Sequence, residues 1–171
     1  GDESAALFSD LLGLACRLVS LAPEHARRVN PERFAGEAHT GFSDGYPLLL
    51  LSEASLEALN QRLPAPLPVN RFRPNLVVRG CAPFAEDGWK RIRIGDAVIE
   101  IVKPCDRCAI TTTDQDRGER DGKEPLRTLA TFRLHEGAVY FGQNAVHLAP
   151  GSLAAGMAVE VLETRTALFP A

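Results

Sequence analysis

No apolar run in the 171-residue sequence approaches the roughly 20 residues that span a bilayer. The opening stretch GDESAALFSDLLGLACRL also lacks the basic, apolar and small-residue order of a secretory signal. Both observations lead us to expect a cytoplasmic protein with no membrane partner. A basic excess is missing too: 19 Lys and Arg stand against 22 Asp and Glu, a net charge of -3, so no nucleic-acid partner is expected. Cysteine is scarce, at positions 16, 81, 105 and 108, and a chain of this length without secretory signs does not use an even count as a disulfide framework. We read all four as reduced thiols. A glycine-rich phosphate loop, an internal repeat and a low-complexity tract are all absent.

What is present is ordinary globular material, 45% apolar and 24% charged, long enough for one domain with its own core. SAALFSDLLGLACRL spaces Ala5, Leu7, Phe8, Leu11, Leu12 and Ala15 along one helical face, predicting a helix from about Ser4 to about Cys16. RLVSL (17–21) reads as a strand, and the Pro-, Gly- and charge-rich 22–46 as a long loop of the kind that is usually functional or mobile. PLLLLSEASLEALNQRLPAP predicts a buried strand running into a helix, with Ser52 as N-cap, Glu53 and Glu57 near the positive helix start, and Pro64 and Pro66 ending it. From Asn75 onward NLVV, KRIRI, AVIEIV, AVYF and MAVEVLE read as strands. EPLRTLATFR interrupts them as a short helix, with Pro125 where a missing N–H costs nothing. Short strands at uneven spacing disfavour a doubly wound sheet. The fold expected is mostly β, a barrel or sandwich with two to three flanking α-helices.

Cys105 and Cys108 bracket Asp106 and Arg107 where a predicted strand runs out. A structural zinc site would need two more close ligands, and His25, His39, His135 and His147 are scattered. A redox pair normally sits at the start of a helix, whereas the β-branched AITTT follows here. Two buried apolar cysteines are a third possibility. Against burial stand Lys103 and Arg107, cations that favour a thiolate, although Asp106 partly offsets them. The fourth possibility is a single thiolate ligand to a soft metal held mainly by something other than protein.

Beyond the pair, FRPNLVV, FAEDGW, IGD, PCDRCAITTTDQDRG, EPLRTL and FGQN follow one another after GFSDGYPLLLLSEASLEALNQRL. In that order they closely resemble the MOSC domain, the C-terminal type of molybdenum cofactor sulfurases, and most of all its bacterial YcbX-type and mitochondrial amidoxime-reducing branch. The resemblance covers essentially the whole chain from the first helix. It implies a β-barrel with flanking helices, in keeping with the strand pattern, and a pterin dithiolene that holds molybdenum, the molybdenum cofactor.

By the same resemblance Cys108 is the molybdenum thiolate, with Cys105, Asp106 and Arg107 lining its turn. Arg73, in RFRPN, matches the family arginine at the cofactor, where a guanidinium suits a two-pronged hold on phosphate or the pterin edge; a surface salt bridge is the ordinary alternative. Asp44 matches the acidic residue near the metal, a catalytic proton donor or water-positioning group, although Asp-Gly is also an ordinary turn pair. Gly45 and Tyr46 fall where relatives often carry hydroxyl residues that touch the cofactor, and Asn75 and Asn144 are further contacts or strand-end turn residues. The implied activity is oxygen-atom removal from small N-hydroxylated substrates, with electrons from a separate donor protein or domain. Relatives carry an upstream domain that holds the cofactor phosphate, so residues 1–171 are expected to be one MOSC domain from the C-terminal part of a longer protein. The alternative is a sulfur-carrier or cofactor-delivery module of the sulfurase kind, in which any pyridoxal phosphate belongs to a fused desulfurase domain.

Overall fold

Alternation of apolar and polar residues decides the central strands of the computed structural model, which describes residues 1–169. In WKRIRI, Trp89, Ile92 and Ile94 are buried, and in the following strand Ala97, Ile99 and Ile101 are. A two-residue turn joins them, with Gly95 at φ 55°, a conformation that glycine adopts without steric cost. Along the chain the helices are α1 (Asp2–Leu12), α2 (Glu53–Asn60) and α3 (Leu126–Ala130). The strands are β1 (Arg27–Arg28), β2 (His39–Thr40), β3 (Leu48–Ser52), β4 (Leu76–Val78), β5 (Trp89–Ile94), β6 (Ala97–Asp106), β7 (Leu134–His135), β8 (Ala138–His147) and β9 (Val159–Thr164).

Seven strands form one curled sheet in the order β4-β3-β8-β6-β5-β9, with β7 paired to β8, while β1 and β2 make a separate ribbon. Only the β3–β4 pairing within it is parallel; the others are antiparallel. The edges β4 and β9 are not joined, so the expected barrel is a half-barrel, mostly β, with three helices. One face buries Leu50, Val78, Trp89, Ile92, Ile99 and Ile101. The other packs Leu51, Phe72 and Phe141 against Leu59 and Leu129 of α2 and α3. As expected, Ser52 caps α2, its hydroxyl accepting from the Ser55 N–H at 3.0 Å.

A buried polar network ties these layers together. Asp87, 3% exposed, accepts from Arg133 Nη1 at 2.6 Å and Gln143 Nε2 at 2.6 Å. Gln143 in turn accepts from Arg165 Nη2 at 2.8 Å, and Arg165 Nη1 donates to the carbonyls of Ile101 and Val102 at 3.0 and 3.1 Å. The Arg133 guanidinium also lies over the rings of Phe84 and Phe169, 4.8 and 4.1 Å from their centroids.

Four expectations are corrected. The first helix ends at Leu12, not near Cys16, because Gly13 takes the left-handed conformation that closes helices. Residues 17–21 are not a strand: Ser9 exchanges hydrogen bonds with the Cys16 backbone and Arg17 pairs with Asp2, so the chain is held to α1 rather than to a sheet edge. AITTT is not extended but forms a 3₁₀ turn (Ala109–Thr112), where the hydroxyls of Thr111 and Thr112 donate to the carbonyls of Cys108 and Ala109. The helix in EPLRTLATFR is confined to its middle five residues, α3.

Asp87→Ala leaves Arg133 buried without its carboxylate and is expected to cost about 3 to 5 kcal/mol. Urea unfolding of the variant measures this; a loss below about 1 kcal/mol would show that the network does not hold the layers.

Candidate functional site

A cleft of about 720 Å³ opens where three segments of chain meet near one end of β3, β6 and β8. The loop 42–46 enters β3, the turn 72–75 enters β4, and the end of β6 continues into the Cys105–Cys108 turn. Asn144 of β8 stands between them, opposite Leu49 on one side and Lys103 on the other. The ladder between β6 and β8 loses register twice, between Ile101 and Lys103 and again between Pro104 and Asp106. Such bulges re-aim side chains, and here they come where Lys103, Cys105 and Asp106 line the cleft.

The first loop is shaped by a residue that the sequence did not single out. Arg27 Nη2 donates to the carbonyls of Ser43 at 2.6 Å and Asp44 at 2.5 Å, bending the loop around one nitrogen. The Asp44 carboxylate makes no side-chain hydrogen bond among the described residues and lines the cleft with Gly45. Tyr46 is half-buried, and burial pushes its phenol pKa up, opposed in part by Lys103 and Arg33. It is therefore a hydrogen-bond donor at neutral pH.

In the second segment Asn75 imitates a strand residue: its Oδ1 accepts from the Leu49 N–H at 2.8 Å, and its own N–H donates to the Leu49 carbonyl at 2.9 Å. Its NH₂ makes no hydrogen bond among the described residues. Arg73 closes a 3₁₀ turn (Val69–Phe72) at φ 55°, ψ 45°. Its side chain has no ion pair or hydrogen bond among the described residues, so the surface salt bridge considered above is not what holds it.

The third segment separates the two cysteines. Cys105 is partly buried and accepts from Arg107 Nη1 at 3.2 Å. Burial pushes its thiol pKa up, and Arg107 only partly offsets this. Lys103 is committed to Asp106 at 2.7 Å, and this hydrogen bond holds the Asp106 carboxyl below its ordinary pKa against the effect of burial. The expectation that Lys103 and Arg107 favour a thiolate is thus corrected for Cys105. Cys108 is exposed and its sulfur has no hydrogen bond among the described residues.

All ten residues singled out in the sequence line this one cleft. Arg27, Phe42, Phe72 and Ile110 join them without having been foreseen. Arg27 had no local signal, because the carbonyls it gathers lie 14 to 17 residues away and only the β1–β2 ribbon brings them near.

A curled sheet with open edges and a cysteine turn beside a cleft at its strand ends makes this a mostly β, half-barrel domain. The MOSC domain family model matches residues 37–160, and the chain belongs to that family. It is 40% identical to mitochondrial amidoxime-reducing component 1 of Mus musculus, over 95% of this chain and 51% of that protein. It is 41% identical to mitochondrial amidoxime reducing component 2 of Bos taurus, over 78% of this chain and 41% of that protein. It is also 37% identical to molybdenum cofactor sulfurase of Oryza sativa subsp. japonica, over 79% of this chain and 18% of that protein. The chain thus spans about half, or less, of the length of these relatives. Among solved structures, YiiM from Geobacillus stearothermophilus shares the fold, with a TM-score of 0.50 at 16% identity over 69% of this chain and 55% of that one.

The lowered pKa of Asp106 fixes the sign of a pH effect. Its ion pair with Lys103 stabilises the fold above the unfolded-state value of about 3.9 and is lost as pH falls through the lower folded value. Because Asp106 is half-exposed, Asp106→Asn is expected to cost less than about 1 kcal/mol at pH 7. Thermal melts of both proteins should converge as the pH drops below about 3.9.

Proposed function

We propose that the chain is the molybdenum-cofactor-binding catalytic domain of an oxidoreductase that reduces small N-hydroxylated compounds. The observation that carries this reading is that an exposed thiol, Cys108, and a guanidinium without a protein partner among the described residues, Arg73, line the same cleft. The amidoxime-reducing relatives from mouse and cattle support it. The donor set fits the cofactor. Among the described residues no group of three or more His, Cys, Asp and Glu could hold a metal ion, so a metal here must bring most of its ligands with it. A pterin dithiolene would do so, and Cys108 is the soft ligand the chain would offer such a metal. The cleft volume of about 720 Å³ lies inside the range of roughly 300 to 1,000 Å³ usual for ligand sites.

When bound, the cofactor supplies the two-electron chemistry. The chain supplies position and protons. Cys108 anchors the metal, Arg73 forks a phosphate or the pterin edge, and the free NH₂ of Asn75 together with Asn144 offers hydrogen bonds to the ring system. Asp44, uncommitted and accessible, holds a proton or positions water beside the reacting atom, while the protonated Tyr46 phenol donates. Electrons come from a separate donor protein or domain, and in this reading an upstream domain grips the far end of the cofactor. The second reading is a sulfur-carrier or cofactor-delivery module, favoured by the sulfurase relative from rice and by the exposure of Cys108.

In the longer, cofactor-loaded protein, Cys108→Ala is expected to abolish reduction of a hydroxylamine-type substrate, and Cys105→Ala to lower it about 10- to 100-fold, as loss of a supporting residue does. Equal loss in both would point to a paired redox or zinc site. Bound pterin with no turnover in the wild type would favour the delivery module.

Arg73→Lys keeps the charge and meets the same backbone constraint, but cannot reproduce a planar fork. The variant should unfold within a few degrees of wild type without cofactor and retain clearly less pterin. Unchanged pterin with lowered stability would make Arg73 structural.

A further inference from the structure

We propose that Arg27 is the positioning residue for Asp44, the uncommitted acid of the cleft, holding it by the backbone so that the carboxylate is fixed in place but left unspent. Residues 41–47 make no backbone–backbone hydrogen bond among the described residues. Side chains tie the loop instead. Arg27 Nη2 donates to the carbonyls of Gly41, Ser43 and Asp44 at 3.5, 2.6 and 2.5 Å, and the Thr40 and Ser43 hydroxyls share a hydrogen bond of 2.5 Å. The β1–β2 ribbon sets this up by pairing Arg27 with Thr40, the last strand residue before the loop. Segments without ladder hydrogen bonds are ordinarily the mobile parts of a fold, so the convergence of three carbonyls on one cation is what gives this loop a shape.

Two features suit the arrangement to a working acid. Arg27 makes no ion pair among the described residues, although it holds the carbonyl of the very residue whose carboxylate stands in the cleft. A guanidinium bonded to that carboxylate would occupy its oxygens and disfavour its protonated form. Held at the carbonyl, Asp44 keeps its carboxylate oxygens for water or substrate. The second feature is that the Arg27 fork is not used, since all three bonds come from one nitrogen. The contact is point-like: an ammonium with three donors can meet it, whereas a shorter, neutral glutamine amide meets it poorly. Lysine is therefore tolerated at Arg27 and not at Arg73, opposite demands from two arginines of one cleft. The inference rests on the reading above only in giving Asp44 a part in moving protons.

Two measurements test it. In the full 171-residue chain, chymotrypsin cleavage after Phe42, 72% exposed near the start of the loop, reports how often the loop opens. Cleavage should be about 10-fold or more faster in Arg27→Gln and within about 3-fold of wild type in Arg27→Lys, with the melting temperature unchanged in both. In the longer, cofactor-loaded protein, Arg27→Gln should lower kcat for a hydroxylamine-type substrate about 10- to 100-fold, as misplacing a reacting group does, and Arg27→Lys should recover most of it. The effect should depend on Asp44. In an Asp44→Asn background Arg27→Gln should cost no more than about 2-fold, because residues that act through one another are not additive. Equal cleavage in wild type and Arg27→Gln, no recovery by lysine, a melting temperature several degrees lower in Arg27→Gln, or a full further loss in the Asp44→Asn background would overturn the proposal. Unchanged turnover in Asp44→Asn alone would instead sink the proton role given to Asp44, and the cleavage after Phe42 would then decide by itself whether Arg27 holds the loop.

Discussion

The carboxylate of Asp87 is the contact on which the cleft depends. Its two oxygens each accept one hydrogen bond, from Arg133 and from Gln143, and Gln143 passes the constraint to Arg165. Arg165 then holds the carbonyls of Ile101 and Val102, where β6 first loses register with β8 and begins to turn its residues toward the cleft. Burial lowers the pKa of Arg165, an effect that the charge of Asp87 opposes. A buried carboxylate and guanidinium contribute little net stability compared with an apolar pair, but removing either partner leaves the other uncompensated. The network therefore specifies geometry more than it adds stability. It fixes the one strand end on which Lys103, Cys105 and Asp106 stand.

The cleft itself follows from how its charges are spent. Lys103 is committed to Asp106, Arg107 to Cys105 and Phe72, and Arg27 to the carbonyls of the Asp44 loop. After these pairings Arg73, Asp44, the Asn75 amide and Cys108 keep capacity directed outward among the described lining residues. Three of the four basic side chains that line this cleft thus already have partners within the protein. The charged lining residues, Arg27, Arg73, Lys103 and Arg107 against Asp44 and Asp106, give the cleft a surplus of two positive charges in a chain of net charge -3.

Sequence legibility followed the range of the interactions involved. The strands of WKRIRI and AVIEIV, the Ser52 cap and the Cys105–Cys108 turn are set by neighbours within a few residues, and each appears where the pattern put it. The ten cleft residues were legible through ordered motifs rather than through spacing, which left four uses of the cysteine pair open. FAEDGW was legible as a motif but not in its role. Its acids face inward, Glu86 accepting from the Ser52 N–H and Asp87 anchoring the network, and no local rule distinguishes a buried carboxylate from a turn carboxylate. RLVSL misled for a related reason. Its β-like composition is genuine, yet Leu18 and Val19 are exposed because extended chain becomes a strand only when a neighbouring edge takes its hydrogen bonds.

The same distinction bears on Arg107. Flanked by two cysteines and next to an acid, it looks in sequence like a charge that activates thiols, and proximity alone supports that view. The fold sets a larger effect against it. Burial outweighs the guanidinium at Cys105, and the partner on the other prong is a backbone carbonyl 35 residues earlier in the chain. A cation that bridges a thiol and a distant carbonyl acts first on shape, joining the cysteine turn to the Phe72–Arg73 turn. In a site where a cofactor brings its own reactivity, such placement is what the protein has to contribute.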